Sequence, residues 1–307
     1  MISPAVSVPP APPAAPVASR VTIVAQAPRG AVPFALVGER LVARGSVEPY
    51  VAGQRVTVRF ELDGRDVASR SVGVMPGAGG AGSFSVTYAS HRPGLLGVGA
   101  AHAATPQMAA FAARASDLRV VPADMREGDR GPGVWLLQAR LAALHYAVPR
   151  SGVFDEGTGQ AVIAYRKLTG LARVASVDAR VMRLLQRDAG RFPVRFSRQG
   201  RHVEASLSRQ VLAEIEPGGR VYRIYTMSSG KPSTPTVLGQ FRVYLKTPGV
   251  NSEDMVDSNY FIRGYAIHGY PEVPTYAASH GCLRVPIPDA PAIFGWVRLG
   301  TPVDVYE

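Results

Sequence analysis

The sequence predicts a multidomain chain: an all-β domain, then a small α-helical module, then a mixed β-sandwich with one helix packed on it. The period of the apolar residues predicts this division, because it is that of strands up to about residue 121, that of helices over about 123–190, and that of strands again over about 195–307. A length of 307 residues fits two or three domains, and a hydrophobic content of 46% is ample for packed cores.

Residues 1–20 are rich in proline, at positions 4, 9, 10, 12, 13 and 16, so every apolar stretch is interrupted. They also lack the basic start of a signal peptide. We therefore expect a disordered, polyproline-like spacer. Either export is signalled in an unusual way, or the sequence starts downstream of its true leader; both explanations stay open.

Residues 21–121 alternate apolar and polar residues in short runs. Val56–Phe60 alternates, Asp63-Gly64 predicts a two-residue hairpin turn, and Phe84–Tyr88 alternates again after the glycine-rich turn 77–82. Short, valine-rich strands separated by glycine turns indicate an antiparallel β-sandwich of immunoglobulin-like type. Nothing in this segment has the pattern of a catalytic site.

Residues 123–190 predict three short helices. Two sets of apolar residues recur at helical spacing, and Asp178 is placed to cap a third helix. The first set is Val134, Leu137, Leu141 and Leu144, and the second is Val162, Tyr165 and Leu168.

The same segment resembles the three-helix peptidoglycan-binding module. Its markers are Gly128, Gly131, Leu137-Gln138, Leu141, Tyr146, Gly152, Phe154-Asp155, Thr158, Ala161-Val162, Tyr165 and Gly170-Leu171. Helix packing and turns explain most of these residues one by one, so the fold is better supported than glycan binding. Trp135 either marks a ligand face or partly fills the core. The composition shifts near 121 and 193 predict that this segment is a separable module for retention on the cell wall. The catalytic activity is then expected to reside in the part of the chain that starts near Phe192.

Residues 195–307 return to the period of strands. Alternation through Val203, Ala205 and Leu207 predicts one strand, and 220–227, 239–246 and the final valines 303 and 305 predict others. Asp289 is expected to cap a helix that ends near Gly300. This pattern predicts the mixed β-sandwich with a helix packed on it.

Cys282 is the only cysteine, and it lies within Ser279-His280-Gly281-Cys282-Leu283-Arg284. A second His-Gly pair, His268-Gly269, lies fourteen positions upstream. A single cysteine forms no disulfide within its chain, and a buried, inert thiol is its commonest state. Here two histidines are available to take the thiol proton, and glycines let backbone N–H groups approach a carbonyl. This pattern favours a thiolate nucleophile.

The run Tyr265-Ala266-Ile267-His268 predicts a strand in which Ile267 faces a core and His268 faces a groove. Spacing alone leaves the general base open between His268 and His280. Two prolines at 271 and 274 stiffen the loop that brings Cys282 back to this strand.

These motifs resemble the L,D-transpeptidase catalytic domain of bacterial cell-wall enzymes. The resemblance extends upstream through Val203–Ser208, Ser229-Gly230-Lys231, Thr234-Pro235 and Gly239-Gln240-Phe241. It implies the L,D-transpeptidase fold for the C-terminal β-sandwich. No metal or cofactor is expected.

The resemblance also implies roles for individual residues. His268 is the implied base and later acid, with the Gly269 carbonyl orienting its ring. The implied oxyanion donors are the backbone N–H groups of His280, Gly281 and Cys282, and the Ser279 hydroxyl supports their loop. Arg284 either binds a substrate carboxylate or ties down the loop, and Tyr265 and Tyr270 are further expected substrate contacts.

The implied reaction is transpeptidation of a peptidoglycan tetrapeptide stem. Cys282 attacks the carbonyl of the third residue, D-alanine leaves, and an amine of a second stem resolves the thioester into a 3→3 cross-link that serves cell wall organisation and cell shape. Two alternatives stay open. With water as acceptor, the enzyme is an L,D-carboxypeptidase; with a vestigial site, the chain is a non-catalytic wall-binding protein.

A net charge of +11 and a pI near 10.1 predict association with polyanions. Nucleic acid is disfavoured, because no basic helix with interleaved aromatics, zinc-ligand spacing or phosphate loop is present. No apolar run approaches the roughly 20 residues of a membrane span. The resemblance implies a location outside the cytoplasm, in the cell wall or periplasm, with peptidoglycan stem peptides and glycan as partners. We expect a monomer.

Overall fold

The computed structural model describes residues 15–26 and 33–307, which form two compact units. The first unit ends at Val121 and the second runs from Pro122 to Glu307. The change of apolar period near residue 121 coincides with this boundary, whereas the helical segment and the C-terminal strands share the second unit. No helix in the described residues is long and apolar enough to cross a membrane.

The first unit consists of two sheets with a shared apolar core. Its strands are β1 (Arg20–Gln26), β2 (Phe34–Leu36), β3 (Leu41–Glu48), β4 (Arg55–Leu62), β5 (Arg65–Gly73), β6 (Met75–Pro76), β7 (Gly82–Tyr88), β8 (Gly94–His102), β9 (Phe111–Arg114) and β10 (Leu118–Val121). One sheet has the order β1-β3-β7-β6; the other has the order β2-β10-β8-β4-β5, with β9 also paired to β8. The pair β2–β10 is parallel and the other pairs are antiparallel.

The predicted hairpin at Asp63-Gly64 is confirmed. Leu62 pairs with Arg65 across it, and both turn residues have positive φ, 50° and 75°, as a two-residue type I′ turn requires. Val17 forms an isolated bridge with Met108 and Arg20 is the first residue of β1, so the end of the predicted spacer 1–20 is part of the folded unit. Residues 1–14 of that spacer lie outside the described residues.

The second unit begins with the three predicted helices, α1 (Pro132–Ala143), α2 (Glu156–Leu168) and α3 (Ala179–Gln186). Asp155 caps α2 by accepting from the Thr158 N–H, and Asp178 caps α3 by accepting from the N–H groups of Arg180 and Val181. Such caps contribute about 1 kcal/mol each. The prediction that Asp178 caps the third helix is confirmed.

The rest of the unit consists of two sheets and one helix. Its elements are β11 (His202–Ser206), β12 (Val211–Glu216), β13 (Arg220–Thr226), β14 (Gly239–Arg242), β15 (Leu245–Val250), β16 (Val256–Ile262), β17 (Tyr265–Tyr270), β18 (Leu283–Pro286), α4 (Ala290–Trp296) and β19 (Pro302–Tyr306). The five-stranded sheet has the order β13-β12-β11-β19-β14 and the four-stranded sheet has the order β15-β16-β17-β18. Buried residues of both sheets and α4 form one core.

Three local predictions were wrong. The helix expected to end near Gly300 ends at Trp296, because Val297 has an extended backbone. The strand predicted over 239–246 divides into β14 and β15, because the chain passes between sheets: the Val243 N–H donates to Thr301 O and the Tyr244 N–H donates to Tyr260 O. Asp289 precedes α4, but its side chain makes no capping hydrogen bond. Its backbone is already helical, and Pro291 in the first turn has no N–H to donate.

The helical segment is attached to the five-stranded sheet at β13. Ile224 accepts a backbone hydrogen bond from Ala147 and donates one to His145, at 2.9 and 2.8 Å. From α2, the buried Lys167 ammonium reaches the carbonyl groups of Gln210 and Met227. Helices and strands of residues 122–307 therefore make up one folded body.

Candidate active site

The two residues predicted to carry the chemistry lie on neighbouring parallel strands. His268 of β17 pairs with Arg284 of β18, and continuing this register by two residues places Cys282 beside Ala266. Side chains two residues apart on a strand share a face, so His268 and Cys282 are diagonal neighbours on one face. The opposite face carries Ile267, which is fully buried in the core, as the sequence predicts.

His268 is 98% buried, with 2% of its surface exposed. Its Nδ1 lies 2.9 Å from the Gly269 carbonyl oxygen. Because a carbonyl only accepts, Nδ1 carries the proton, and Nε2 of the neutral ring is left to accept one. Burial lowers the pKa of His268 to about 4, and the positive charge of Arg284 acts in the same direction, while the Gly269 carbonyl opposes it. The imidazole is therefore neutral at neutral pH.

Gly269 lets helix α4 approach β17 closely. A Cβ at this position would lie 2.8 Å from the Ala290 Cβ and 3.1 Å from the Val256 Cβ, which is closer than carbon atoms pack. Any larger residue would therefore displace the carbonyl that holds the His268 ring.

Cys282 is free and partly buried. Its Sγ donates a weak hydrogen bond to Gly264 O at 3.8 Å. Burial raises the thiol pKa, whereas the Ala266 N–H and the charge of Arg284 lower it by smaller amounts. Because the pKa of the thiol is raised and that of the imidazole is lowered, the resting pair is a neutral thiol and a neutral imidazole. No hydrogen bond joins Sγ to His268 in the part of the chain that the structure describes.

The turn before Cys282 is held by the Ser279 hydroxyl, which donates to Cys282 O at 2.6 Å and accepts from the Gly281 N–H at 3.1 Å. Gly281 has a φ of 118°, and a Cβ there would lie 2.5 Å from the Tyr265 ring. Only glycine meets both conditions without strain. Tyr265, predicted to contact substrate, thus packs against the turn.

The second histidine of the motif has a different environment. His280 is exposed, and its Nε2 lies 3.1 Å from the Lys231 Nζ. Because an ammonium only donates, Nε2 of His280 accepts this hydrogen bond. The two candidate bases therefore differ: Nε2 of His280 is engaged by Lys231, whereas Nε2 of His268 is free to accept a proton. The His268 ring also shares a face with Cys282.

Arg284 and Tyr270 lie together beside His268. The Arg284 guanidinium lies 3.8 Å from the centroid of the Tyr270 ring. The rings of Tyr270 and His268 pack edge to face, with their centroids 5.7 Å apart. The backbone of Arg284 exchanges two 2.9 Å hydrogen bonds with Ser228. The backbone of this residue ties down the strand, and its charge stays beside the candidate nucleophile.

Sequence reasoning missed the role of segment 228–236, which appeared only as part of the resemblance. Ser229 O accepts from the N–H groups of Ala278 and Ser279 at 2.8 and 2.9 Å, and the Thr236 hydroxyl donates to Gly281 O at 2.8 Å. The signal available was a polar run that directly follows an apolar strand. This segment holds both ends of the Ser279–Cys282 turn.

The arrangement suits acyl transfer to a thiol. A neutral imidazole with an unprotonated nitrogen can accept a thiol proton, and backbone N–H groups of a turn can stabilise an oxyanion. No group of three or more His, Cys, Asp or Glu among residues 15–26 and 33–307 is placed to hold a metal ion.

Comparison with known proteins assigns a family. The profile of the YkuD family, the L,D-transpeptidase catalytic domain, matches residues 200–305. A crystal structure of part of the L,D-transpeptidase from Xylanimonas cellulosilytica is 36% identical, covering 60% of this chain and 98% of that chain with a TM-score of 0.55. The chain therefore belongs to the L,D-transpeptidase family. It is an enzyme of this class, whose substrates are part of cell-wall peptidoglycan.

Other solved structures are less similar. An L,D-transpeptidase variant from Enterococcus faecium is 28% identical and covers 35% of this chain and 50% of that chain, with a TM-score of 0.31. An L,D-transpeptidase from Mycobacterium tuberculosis is 23% identical and covers 35% and 58%, with a TM-score of 0.32. Among curated proteins, none matches the chain.

Proposed function

We propose that the protein is a cysteine-dependent L,D-transpeptidase in which Cys282 is the nucleophile and His268 the general base. The observation that carries this proposal is the shared face of His268 and Cys282 on two parallel strands. The hydrogen bond from Nδ1 to Gly269 O supports it further, because it leaves Nε2 free to accept a proton. Family membership supports peptidoglycan as the substrate class, and we propose that the acyl donor is its tetrapeptide stem.

Acylation begins when sulfur attacks the carbonyl of the third stem residue. The Cys282 thiol proton moves to His268 Nε2 while the S–C bond forms and the carbonyl oxygen becomes an oxyanion. The oxyanion collapses, the C–N bond to D-alanine breaks, and the proton on Nε2 moves to the departing amine. Because both partners start neutral, proton transfer accompanies attack and no thiolate is stored beforehand.

The backbone of the turn supplies the oxyanion donors in this proposal. The Gly281 N–H already donates to the Ser279 hydroxyl, so the N–H groups of His280 and Cys282 are assigned to the oxyanion. Loss of a single donor of this kind costs about 3 kcal/mol of transition-state stabilisation.

Deacylation transfers the stem to an amine of a second peptide. The amine nitrogen attacks the thioester carbonyl, His268 takes its proton, and the C–S bond breaks as sulfur is reprotonated. The product is a 3→3 cross-link. Arg284, stacked on Tyr270 beside the reacting groups, is assigned to a carboxylate of a bound stem, since a guanidinium recognises carboxylates with two donors.

The test is incubation with purified tetrapeptide-rich muropeptides, followed by product masses. Wild type is expected to release D-alanine and to form cross-linked dimers, and Cys282→Ala is expected to form neither. Trimmed monomers without dimers would identify an L,D-carboxypeptidase instead. An unchanged substrate with folded wild-type protein would favour a non-catalytic wall-binding protein and contradict the proposal.

We also propose that the helical segment, α1 to α3, contacts the glycan of peptidoglycan through Trp135. The side chain of Trp135 is 56% exposed, and exposed indole rings stack on sugar rings. Trp135→Ala is expected to reduce retention on purified cell wall, while Val174→Ala, at an exposed apolar residue of the same segment, is expected to leave it unchanged. Equal retention of both variants would contradict glycan binding at Trp135.

The remaining proposals concern the whole chain. We assign the first unit to the immunoglobulin-like class on its two sheets and shared core. A net charge of +11 suits an enzyme that works against an anionic wall outside the cytoplasm. A monomer is expected, and light scattering of the purified chain tests it.

A further inference from the structure

Loop 271–278 connects β17, the strand of His268, to the turn that carries Cys282. Two of its anchors come from segment 228–236. The Ser228 hydroxyl donates to Tyr276 O at 2.6 Å, and Ser229 O accepts from the Ala278 N–H at 2.8 Å. A loop of this length needs such anchors, because an unanchored loop gains conformational entropy when it moves away from one position.

A third anchor comes from the helical segment. Arg173, between α2 and α3, donates from Nη1 to Thr275 O at 2.6 Å and from Nη2 to Ser208 O at 3.0 Å. The first contact spans 102 positions of sequence. The planar guanidinium thus joins the loop to the β11–β12 hairpin, with both nitrogen atoms engaged at once.

A second path starts at Lys167, whose side chain is 4% exposed. Its Nζ donates to Gln210 O, Met227 O and the Thr226 hydroxyl, at 2.9, 2.8 and 2.6 Å. Two of these acceptors are carbonyl oxygens, which only accept, so Nζ is the donor to both. Burial lowers the pKa of Lys167 to about 7.

The hairpin turn carries this path onward to the loop. The Gln210 amide donates to Ser229 Oγ at 2.6 Å and accepts from the Ser229 N–H at 2.9 Å. Ser229 is the residue whose carbonyl holds Ala278 and Ser279. A continuous set of hydrogen bonds therefore runs from α2 to the start of the Cys282 turn.

We propose that Arg173 is a positioning residue for the transpeptidase reaction, and that the helical segment is part of the framework of the active site. This inference rests on the proposed function. It differs from the separable wall-retention module expected from composition. Arg173 touches no reacting atom; it holds the loop that fixes Cys282 against His268. Lys167 supports the same loop through Gln210 and Ser229.

The expected effect of losing Arg173 is on rate more than on binding. Without the guanidinium, Thr275 O loses its anchor and the loop gains freedom to shift. A misplacement of about 1 Å in an active site lowers the rate by about a hundredfold. Substrate contacts away from sulfur are unchanged, so kcat is expected to fall while KM changes little.

The experiment compares three variants of the full chain: Arg173→Ala, Arg173→Lys and Arg180→Ala. Arg180 of α3 is a matched control, because it is exposed and its side chain forms no hydrogen bond or ion pair with any described residue. Three quantities are measured: kcat and KM with muropeptide donor, the rate of Cys282 alkylation by iodoacetamide against pH, and the melting temperature.

For Arg173→Ala we expect a kcat at least about tenfold lower with KM within about threefold. We also expect faster alkylation near neutral pH, because a displaced Cys282 is less buried and its pKa falls towards the ordinary range. Arg173→Lys is expected to recover part of kcat, since an ammonium reaches one carbonyl but not both. Arg180→Ala is expected to match wild type.

The inference is overturned if Arg173→Ala matches Arg180→Ala in both kcat and alkylation profile. A lower melting temperature with an unchanged kcat and profile also overturns it, since Arg173 would then be structural only. If wild type does not acylate the donor, the proposed function fails, and the alkylation profiles still decide whether Arg173 positions Cys282.

Discussion

The two His-Gly pairs of this chain have the same sequence and opposite environments. His268-Gly269 lies within strand β17, where the ring is buried and its Nδ1 donates to Gly269 O. His280-Gly281 lies in the turn before β18, where the ring is exposed and contacts Lys231. The strand fixes a side chain, whereas the turn fixes a backbone.

In the proposed mechanism, this difference separates the two catalytic tasks. A general base needs a held ring with one unprotonated nitrogen, and the strand provides it. An oxyanion site needs fixed N–H groups, and a turn that requires glycine at φ 118° provides those. In the proposed mechanism, identical dipeptides therefore serve different functions, because the element that holds each one differs.

The largest effect on activity is expected at Cys282, the residue that both His-Gly pairs are proposed to assist. Cys282→Ala is expected to lower product formation at least about a thousandfold, because no other thiol is present to attack the stem. Product masses from folded variant and wild type measure it. Cross-links formed by a clean Cys282→Ala preparation would leave neither histidine with its assigned task.

The backbone role of the second pair is tested by Gly281→Ala. The new Cβ would meet the Tyr265 ring at 2.5 Å and hold alanine at a positive φ, which costs about 1–3 kcal/mol in backbone strain alone. The free energy of unfolding, measured with denaturant, and the acylation rate are both expected to fall. Gly295→Ala is the control, because its Cβ meets nothing within 4 Å; equal results for both variants would contradict the role of the turn.

The buried ring of the first pair predicts a pH dependence of stability. Burial lowers the pKa of His268 to about 4 in the folded chain, against 6.5 ordinarily. Between these values the unfolded chain binds the extra proton, so stability is complete above pH 6.5 and falls as pH drops to 4, by up to about 3 kcal/mol. Denaturant unfolding against pH measures this, and His268→Gln should show a shallower fall. An equally steep fall in the variant would contradict a buried, neutral ring.

The smallest effect on activity is expected at the contact between His280 and Lys231. Lys231→Ala removes the partly exposed partner of the exposed His280, and contacts between charged or polar side chains at the surface contribute at most about 1 kcal/mol. The acylation rate is expected to stay within about threefold of wild type. A hundredfold loss would show that the exposed pair takes part in the chemistry.

Much of this contrast could be predicted from residue periods and motifs. Alternation placed Ile267 in the core and His268 on the other face, and helical spacing found α1, α2 and α3. Motif spacing predicted that both histidines lie near Cys282 but not which of them is the base. Sequence distance does not show which imidazole ring is fixed by its neighbours.

The rest depends on contacts between distant segments. The passage from β14 to β15 at Val243 was missed, because a continuous apolar pattern does not show a change of sheet. The contact from Arg173 to Thr275 O was missed because apolar periods report the face of an element and not the polar groups that meet across a junction.

The most direct test of the two histidine assignments is the rate of acyl-enzyme formation at Cys282 in wild type, His268→Gln and His280→Gln. Intact-protein mass spectrometry follows the adduct with a tetrapeptide donor, and peptide mapping assigns it to Cys282. We predict a loss of about a hundredfold or more in His268→Gln alone, with His280→Gln within about threefold of wild type. The reverse order, or equal losses, would contradict the assignment of His268 as the base.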